Sequence, residues 1–210
     1  FTNTLVFNGV GALRNNYLKE KTIVGNKLTK DLNSFYKVDE TKYLENIQNK
    51  KETHLQLLKQ FDVSDYFKKT EIKSLEYERL LSINNFESNY KFYIGDEIST
   101  SKKFKNPIKN LDFNNPEDYK NQPYYRYLVN SYWSKKMEKT NNVEEMINVL
   151  KQVPSQDIAI TVVNSCFSKI SSNKDKAKDY LDFIKRITTN KQFIDAAEKQ
   201  YKEAINSSKL

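Results

Sequence analysis

Only four glycines and four prolines punctuate the 210 residues of this chain, and that scarcity constrains the fold more than any other feature. A β-sandwich or barrel needs a tight turn every few residues, and glycine and proline supply most of them. A chain this poor in both is built from long helices with few connections. Its core comes from rings. Hydrophobic residues make up 38%, but there are 14 Tyr, 12 Phe and 1 Trp, and each ring buries a large area. The expected fold class is all-α, an irregular multi-helix bundle of about seven or eight helices. Room remains for one short strand at residues 4–8, a segment that reads equally as the tail of a preceding element.

The apolar spacing places the elements. Gly9 and Gly11 lead into a helix running to about Ser34. Val38-Asp39 reads as an apolar N′ residue and an N-cap. The helix behind it carries Leu44, Ile47, Leu55 and Leu58 and ends near Phe61. Ser64 caps a helix of roughly 30 residues, ~45 Å at 1.5 Å per residue, with Ile72, Leu75, Leu80, Ile83, Phe86 and Tyr90 on its stripe and Gly95 as its stop. From Asp96 to Asn115 the pattern is lost in Ser, Lys and Asn, which predicts a long loop. Asn115-Pro116-Glu117-Asp118 then reads as N-cap, proline at N1 and acids in the first turn. Pro123 opens the helix with the densest aromatic run. Asn142 with Glu145, Ser155, Asn173 or its neighbour, and Asn190 start four short helices near the C-terminus. The expected organisation is 1–8 as remnant or linker, 9–95 as a long-helix region, 96–122 as a loop with a short helix, and 123–210 as a short-helix bundle. Residues 9–210 read as one domain, with no fixed repeat period.

Catalytic chemistry finds little to work with. His54 is the only histidine. It lies mid-helix, no nucleophile elbow accompanies it, and one imidazole is too few for the usual zinc sets. Cys166 is the only cysteine, so neither an internal disulfide nor a Cys cluster can form. With Val162 and Val163 a turn earlier, it reads as a small buried hydrophobe rather than a reactive thiol. The carboxylate pairs Glu117/Asp118 and Glu144/Glu145 stand at helix starts, where acids complement the dipole, and Glu76/Glu78 has no visible cleft. Gly9-x-Gly11 lacks the third glycine and the βαβ context of a phosphate loop. The sequence therefore points to no catalytic, cofactor-binding or metal-binding residue. The net charge of +8 raises the question of nucleic acid, yet only Arg14, Arg79, Arg126 and Arg186 among 35 basic residues are arginine. The lysines are interleaved with glutamate and asparagine, as on solvated helix faces. The longest apolar stretch, Ile158 to Phe167, is too short and too polar to span a bilayer. The chain begins with Phe1 rather than Met, the expectation being a processed form or an excised piece.

The aromatic run is the one feature with two readings. The run holds Tyr124, Tyr125, Tyr127, Tyr132 and Trp133, and positions 124/125, 128/129 and 132/133 make one face apolar at helical period. They form either core or a partner-binding surface, and the 98–114 loop is a second candidate for holding a protein or peptide.

Three segments carry a resemblance. Phe7-Asn8-Gly9-Val10-Gly11-Ala12 with Asn15-Asn16-Tyr17-Leu18 resembles an "SGKGA…NNYL" passage of extracytoplasmic TlpA-like thiol–disulfide oxidoreductases with a long N-terminal extension. Glu76-Tyr77-Glu78-Arg79-Leu80-Leu81, with Asn85-Phe86-Glu87-Ser88, is similar to that family's long middle helix. Asp118-Tyr119-Lys120-Asn121, with Tyr125-Arg126-Tyr127-Leu128-Val129, is similar to its "DYKN…YRxLV" helix start. The resemblance implies that this chain is the helical part preceding a thioredoxin-like domain with a Trp-Cys-x-x-Cys site. It implies an extracytoplasmic, periplasm-facing location with a lipid anchor upstream. It also implies a role in positioning the redox domain or binding its protein substrate or redox partner. Cys166 does not match the family's dithiol, so no catalytic residue carries over. A stand-alone helical binding or scaffold protein is the alternative.

Overall fold

The structure, a computed structural model, describes residues 5–206. It is all-α: among the described residues there are eleven α-helices, one 3-10 turn and no strand. The helices are α1 (Ala12–Leu28), α2 (Leu32–Tyr36), α3 (Glu40–Lys59), α4 (Asp65–Ile94), α5 (Asn106–Lys109), α6 (Pro116–Asn121), α7 (Pro123–Glu138), α8 (Val143–Lys151), α9 (Gln156–Ser172), α10 (Ala177–Ile187) and α11 (Lys191–Asn206).

Most starts follow the expected caps. The side chains of Asp39, Ser64, Asn142 and Ser155 each accept a hydrogen bond from the backbone N–H three residues on. Asn115 and Asn190 do the same for Asp118 and Phe193. α4 runs its full 30 residues to Gly95, whose φ of 89° closes the helix in the left-handed conformation that favours glycine.

Four expectations need correction. Residues 5–8 form no strand; Thr4 lies outside the described residues. Instead, Phe7 donates its N–H to Asn16 Oδ1 at 2.8 Å and accepts from Asn16 Nδ2 at 3.0 Å. A side-chain amide on α1 satisfies backbone groups that a strand would pair with a neighbour. The first helix stops at Leu28 rather than Ser34. Asp31 accepts from the N–H and hydroxyl of Ser34 and starts a separate helix there. The 96–115 stretch contains the one-turn helix α5, and Phe104 within it is buried. Asn173 makes no side-chain cap; a 3-10 turn, Lys174–Lys176, leads into α10. With α2 and α5 included, the described residues hold eleven α-helices rather than the expected seven or eight.

The chain divides into two compact units. Unit 1 is Phe1–Leu111 with Asn121–Leu128, and unit 2 is Asp112–Lys120 with Val129–Leu210. The division falls inside α7, where the sequence shows no boundary. In unit 1, α3 and α4 pack along each other, α1 lies on α3, and α2 lies against α4. Its core is aromatic: Tyr36, Tyr43, Phe86 and Phe104 form one web, with Tyr43 and Phe86 centroids 4.2 Å apart. Tyr17 meets Phe61 and Phe67 edge-on at 5.6 and 5.7 Å, an arrangement that rings favour beyond their buried area. In unit 2, α10 packs against α8, α9 and α11. Its interior is mainly aliphatic, from Ile158, Val162, Cys166 and Ile170 on α9 and Leu181, Ile184 and Ala197 on α10 and α11.

Candidate functional site

The aromatic run does not form one surface. Tyr125 is fully buried in unit 1 against Tyr77, 4.9 Å between centroids. Tyr124 is half-buried there, and burial, with help from Glu78 and Glu71, pushes its phenol up to about 12. In unit 2, Trp133 is buried with its indole N–H unpartnered among the described residues, and Lys136 lies 4.7 Å over its ring. Tyr132 stacks on Phe113 at 4.1 Å and 6°. Only Tyr127 faces solvent, at 63% exposure. Tyr125 and Trp133 belong to the core, while Tyr124 and Tyr132 are half-buried.

Cys166 is 1% exposed on α9, and burial pushes its thiol up to about 12 against the opposing pull of Lys169. A thiol so placed is protonated at neutral pH and is a poor nucleophile. Of the carboxylate pairs, Asp118 accepts from Asn115 Nδ2 and Glu145 from Asn141 N–H and Asn142 Nδ2, each at its own helix start, while Glu144 pairs with Arg186. The 98–114 loop is tied down as well. Thr100 donates its N–H and hydroxyl to Glu87 Oε1, Lys105 holds Glu87 Oε2, and Ser101 donates twice to Glu40. Although burial opposes it, this set of donors holds the Glu87 carboxyl down at about 2. No group of three or more His, Cys, Asp or Glu suited to a metal ion occurs among the described residues. No helix there is long and apolar enough to cross a membrane.

Two features of unit 1 escaped the sequence reading. One is an open groove of about 800 Å³ between the start of α1 and the start of α4, lined by Leu13, Arg14, Tyr66, Phe67, Thr70 and Pro123, among others. Tyr66 is 79% and Leu13 52% exposed there, and the Arg14 guanidinium lies 5.3 Å over the Phe67 ring. Apolar walls beside one cation suit a peptide segment with an aromatic or aliphatic side chain.

The other is a buried ionic cluster where α1, α3 and α4 meet. Glu71, 6% exposed, accepts from the Tyr17 hydroxyl at 2.8 Å and pairs with Lys21 at 2.7 Å. Burial and then Glu71 drive the Tyr17 phenol far up. Glu78 pairs with Lys50 at 2.8 Å and lies 3.7 Å from Lys21. Glu76 takes Lys51 and Arg79, each at 2.6 Å. Despite their burial, these cations hold the Glu76 and Glu78 carboxyls below the ordinary range. His54 sits among them, 2% exposed, with neither ring nitrogen hydrogen-bonded among the described residues. Spacing held part of this signal. Lys50 and His54 are four apart on α3, and Glu71 and Glu78 are seven apart on α4, so each pair shares a helix face. Lys21, the third contributor, lies too far away in sequence for any local pattern to link it.

Comparison with protein families, with curated proteins and with solved structures returned no match.

Proposed function

We propose that this chain is a non-catalytic helical accessory domain of a thiol–disulfide oxidoreductase or isomerase. It positions a thioredoxin-like domain that follows it, or binds that domain's protein substrate or redox partner, on the extracytoplasmic side of a membrane. The observation that carries the reading is the work done by the residues of the resemblance. Asn16 clasps the Phe7 backbone, Gly9 and Gly11 take φ of 83° and 81° on the way into α1, and Tyr17 anchors that helix to Glu71. Glu76 and Glu78 hold α3 to α4. These residues have structural roles in this chain, and that is what supports the reading. The only thiol, Cys166, is buried, which suits chemistry carried out by another domain.

Peptide sequencing of the native protein tests this directly. The expected result is a Trp-Cys-x-x-Cys segment downstream of Leu210, together with no dithiol-dependent insulin reduction by residues 1–210 alone. A native chain ending near Leu210, or reductase activity in residues 1–210 that survives Cys166→Ala, overturns it.

The groove beside Tyr66 and Leu13 favours a second reading, a stand-alone helical protein that binds a peptide or protein partner. Under that reading Tyr66→Ala abolishes capture of the partner while the fold is kept.

A further inference from the structure

We propose that His54 makes the seating of α1 on α3 and α4 sensitive to acid, so that mild acidification loosens α1 from unit 1. The geometry comes first. The imidazole projects from α3 toward the α1 backbone at Gly25, where a β-carbon would lie 3.5 Å from Nε2 and 3.6 Å from Cε1. The ring is enclosed, and neither nitrogen has a hydrogen-bond partner among the described residues. The neutral ring tolerates this, because an imidazole without a partner gives up only a modest interaction. An imidazolium carries two donors and a full charge, and burying it unpaired costs far more.

The surroundings do not welcome another positive charge. From α1 comes Lys21; from α3 itself, Lys50 and Lys51; from α4, Arg79 together with the carboxylates of Glu71, Glu76 and Glu78. Each carboxylate already holds a lysine at 2.8 Å or less. Burial pushes the His54 pKa below the ordinary imidazole value, Glu78 pulls the other way, and Lys21 and Lys50 add to the downward push. The unfolded chain then takes up the proton more readily than the folded one. Stability is therefore full above the ordinary value of about 6.5 and falls as pH drops through it. α1 is the element that yields. It supplies both the Gly25 wall and Lys21, and its withdrawal lets water reach the ring while removing one of the competing cations.

With His54 the only histidine in the chain, it is the one side chain whose ordinary titration falls between about pH 5.5 and pH 7. Urea unfolding at pH 7 and pH 5.5, with amide hydrogen exchange corrected for its intrinsic pH dependence, reads the effect. The expected result is a lower urea midpoint at pH 5.5 and a loss of protection concentrated in residues 12–28, both absent in His54→Gln. An equal midpoint shift in His54→Gln, or exchange that rises evenly across the chain, overturns the proposal. Should that variant not fold, the imidazole resonance of the native protein decides by NMR titration. A midpoint below the ordinary value supports the proposal, and one at or above it overturns it.

Discussion

Unit 1 and unit 2 both bury helices against helices, yet they join them differently. In unit 1 the side chains that cross from helix to helix carry polar tips or charges. Tyr17 on α1 reaches Glu71 on α4, Lys50 and Lys51 on α3 reach Glu78 and Glu76, and Tyr43 donates to the Ser82 carbonyl at 3.2 Å. In unit 2, α10 meets α8, α9 and α11 mainly through apolar side chains, hydroxyls link Tyr119 to Thr161 and Ser134 to Ser165, and ion pairs stay near the rim. Glu138–Lys169, Glu144–Arg186 and Lys185–Glu198 each have at least one partner more than a third exposed. The buried carboxylate of Asp118 is tied locally, to Asn115 three residues before it. The difference teaches where solution conditions act. A buried ion pair depends on every partner being present, because losing one leaves the other charged and dry. An apolar interface has no such dependence.

The largest effect that sharpens this contrast comes from deleting one carboxylate in each unit. Glu71→Ala removes the acceptor of the Tyr17 hydroxyl and leaves Lys21 with only Glu78, 3.7 Å away, and is expected to cost about 3 kcal/mol. Glu138→Ala removes a half-exposed partner of Lys169, which keeps its contact with Ser134 at 2.8 Å, and is expected to change stability by less than about 1 kcal/mol. Urea denaturation of the two variants measures both. Equal costs would break the comparison.

A finer pair of variants has opposite signs. Tyr17→Phe removes a hydroxyl that donates to a carboxylate, worth about 1.5–3 kcal/mol. Tyr180, in unit 2, is fully buried with its hydroxyl unpartnered among the described residues, and burial holds that phenol up at about 12. Tyr180→Phe removes a polar atom that gains nothing, so it is expected to be neutral or to stabilise by about 1 kcal/mol. Thermal melts of the two variants test the signs. A clear loss in Tyr180→Phe would mean that unit 2 also relies on buried polar contacts.

The same contrast explains what the sequence could show. The caps at Asp39, Ser64, Asn142 and Ser155 are local, three residues wide, and were legible, as were the full span of α4 and its stop at Gly95. The apolar stripe of α9, Ile158, Val162, Cys166 and Ile170, was legible for the same reason. The break at Asp31 was missed because Thr29-Lys30-Asp31 reads as an ordinary solvated face; the clue was the Asp-x-x-Ser spacing that the cap uses. The ionic cluster was missed because Lys21 and Glu71 are 50 residues apart. His54 stands out in the sequence only as a lone mid-helix histidine, since its setting is made by three helices. The helical period leaves Tyr125 and Trp133 open between core and partner surface, and their burial, like the exposure of Tyr127, depends on what packs against α7.

The smallest expected effect tests how tightly α1 is seated. Gly25 lies inside α1 with a helical backbone, so its conformational freedom serves no turn there. A β-carbon at that position would meet His54 at 3.5 Å and Lys50 Cε at 3.9 Å, both ordinary van der Waals distances. Gly25→Ala therefore gains helix propensity and reduces the freedom of the unfolded chain without a clash, and is expected to stabilise unit 1 by about 0.4–1 kcal/mol. The gain should be seen as a higher urea midpoint at pH 7. A loss instead would mean that the α1 backbone sits against His54 with no slack even for a methyl group. The ionic joint of unit 1 would then be as closely packed as the apolar interior of unit 2, and charge alone would no longer set the two apart.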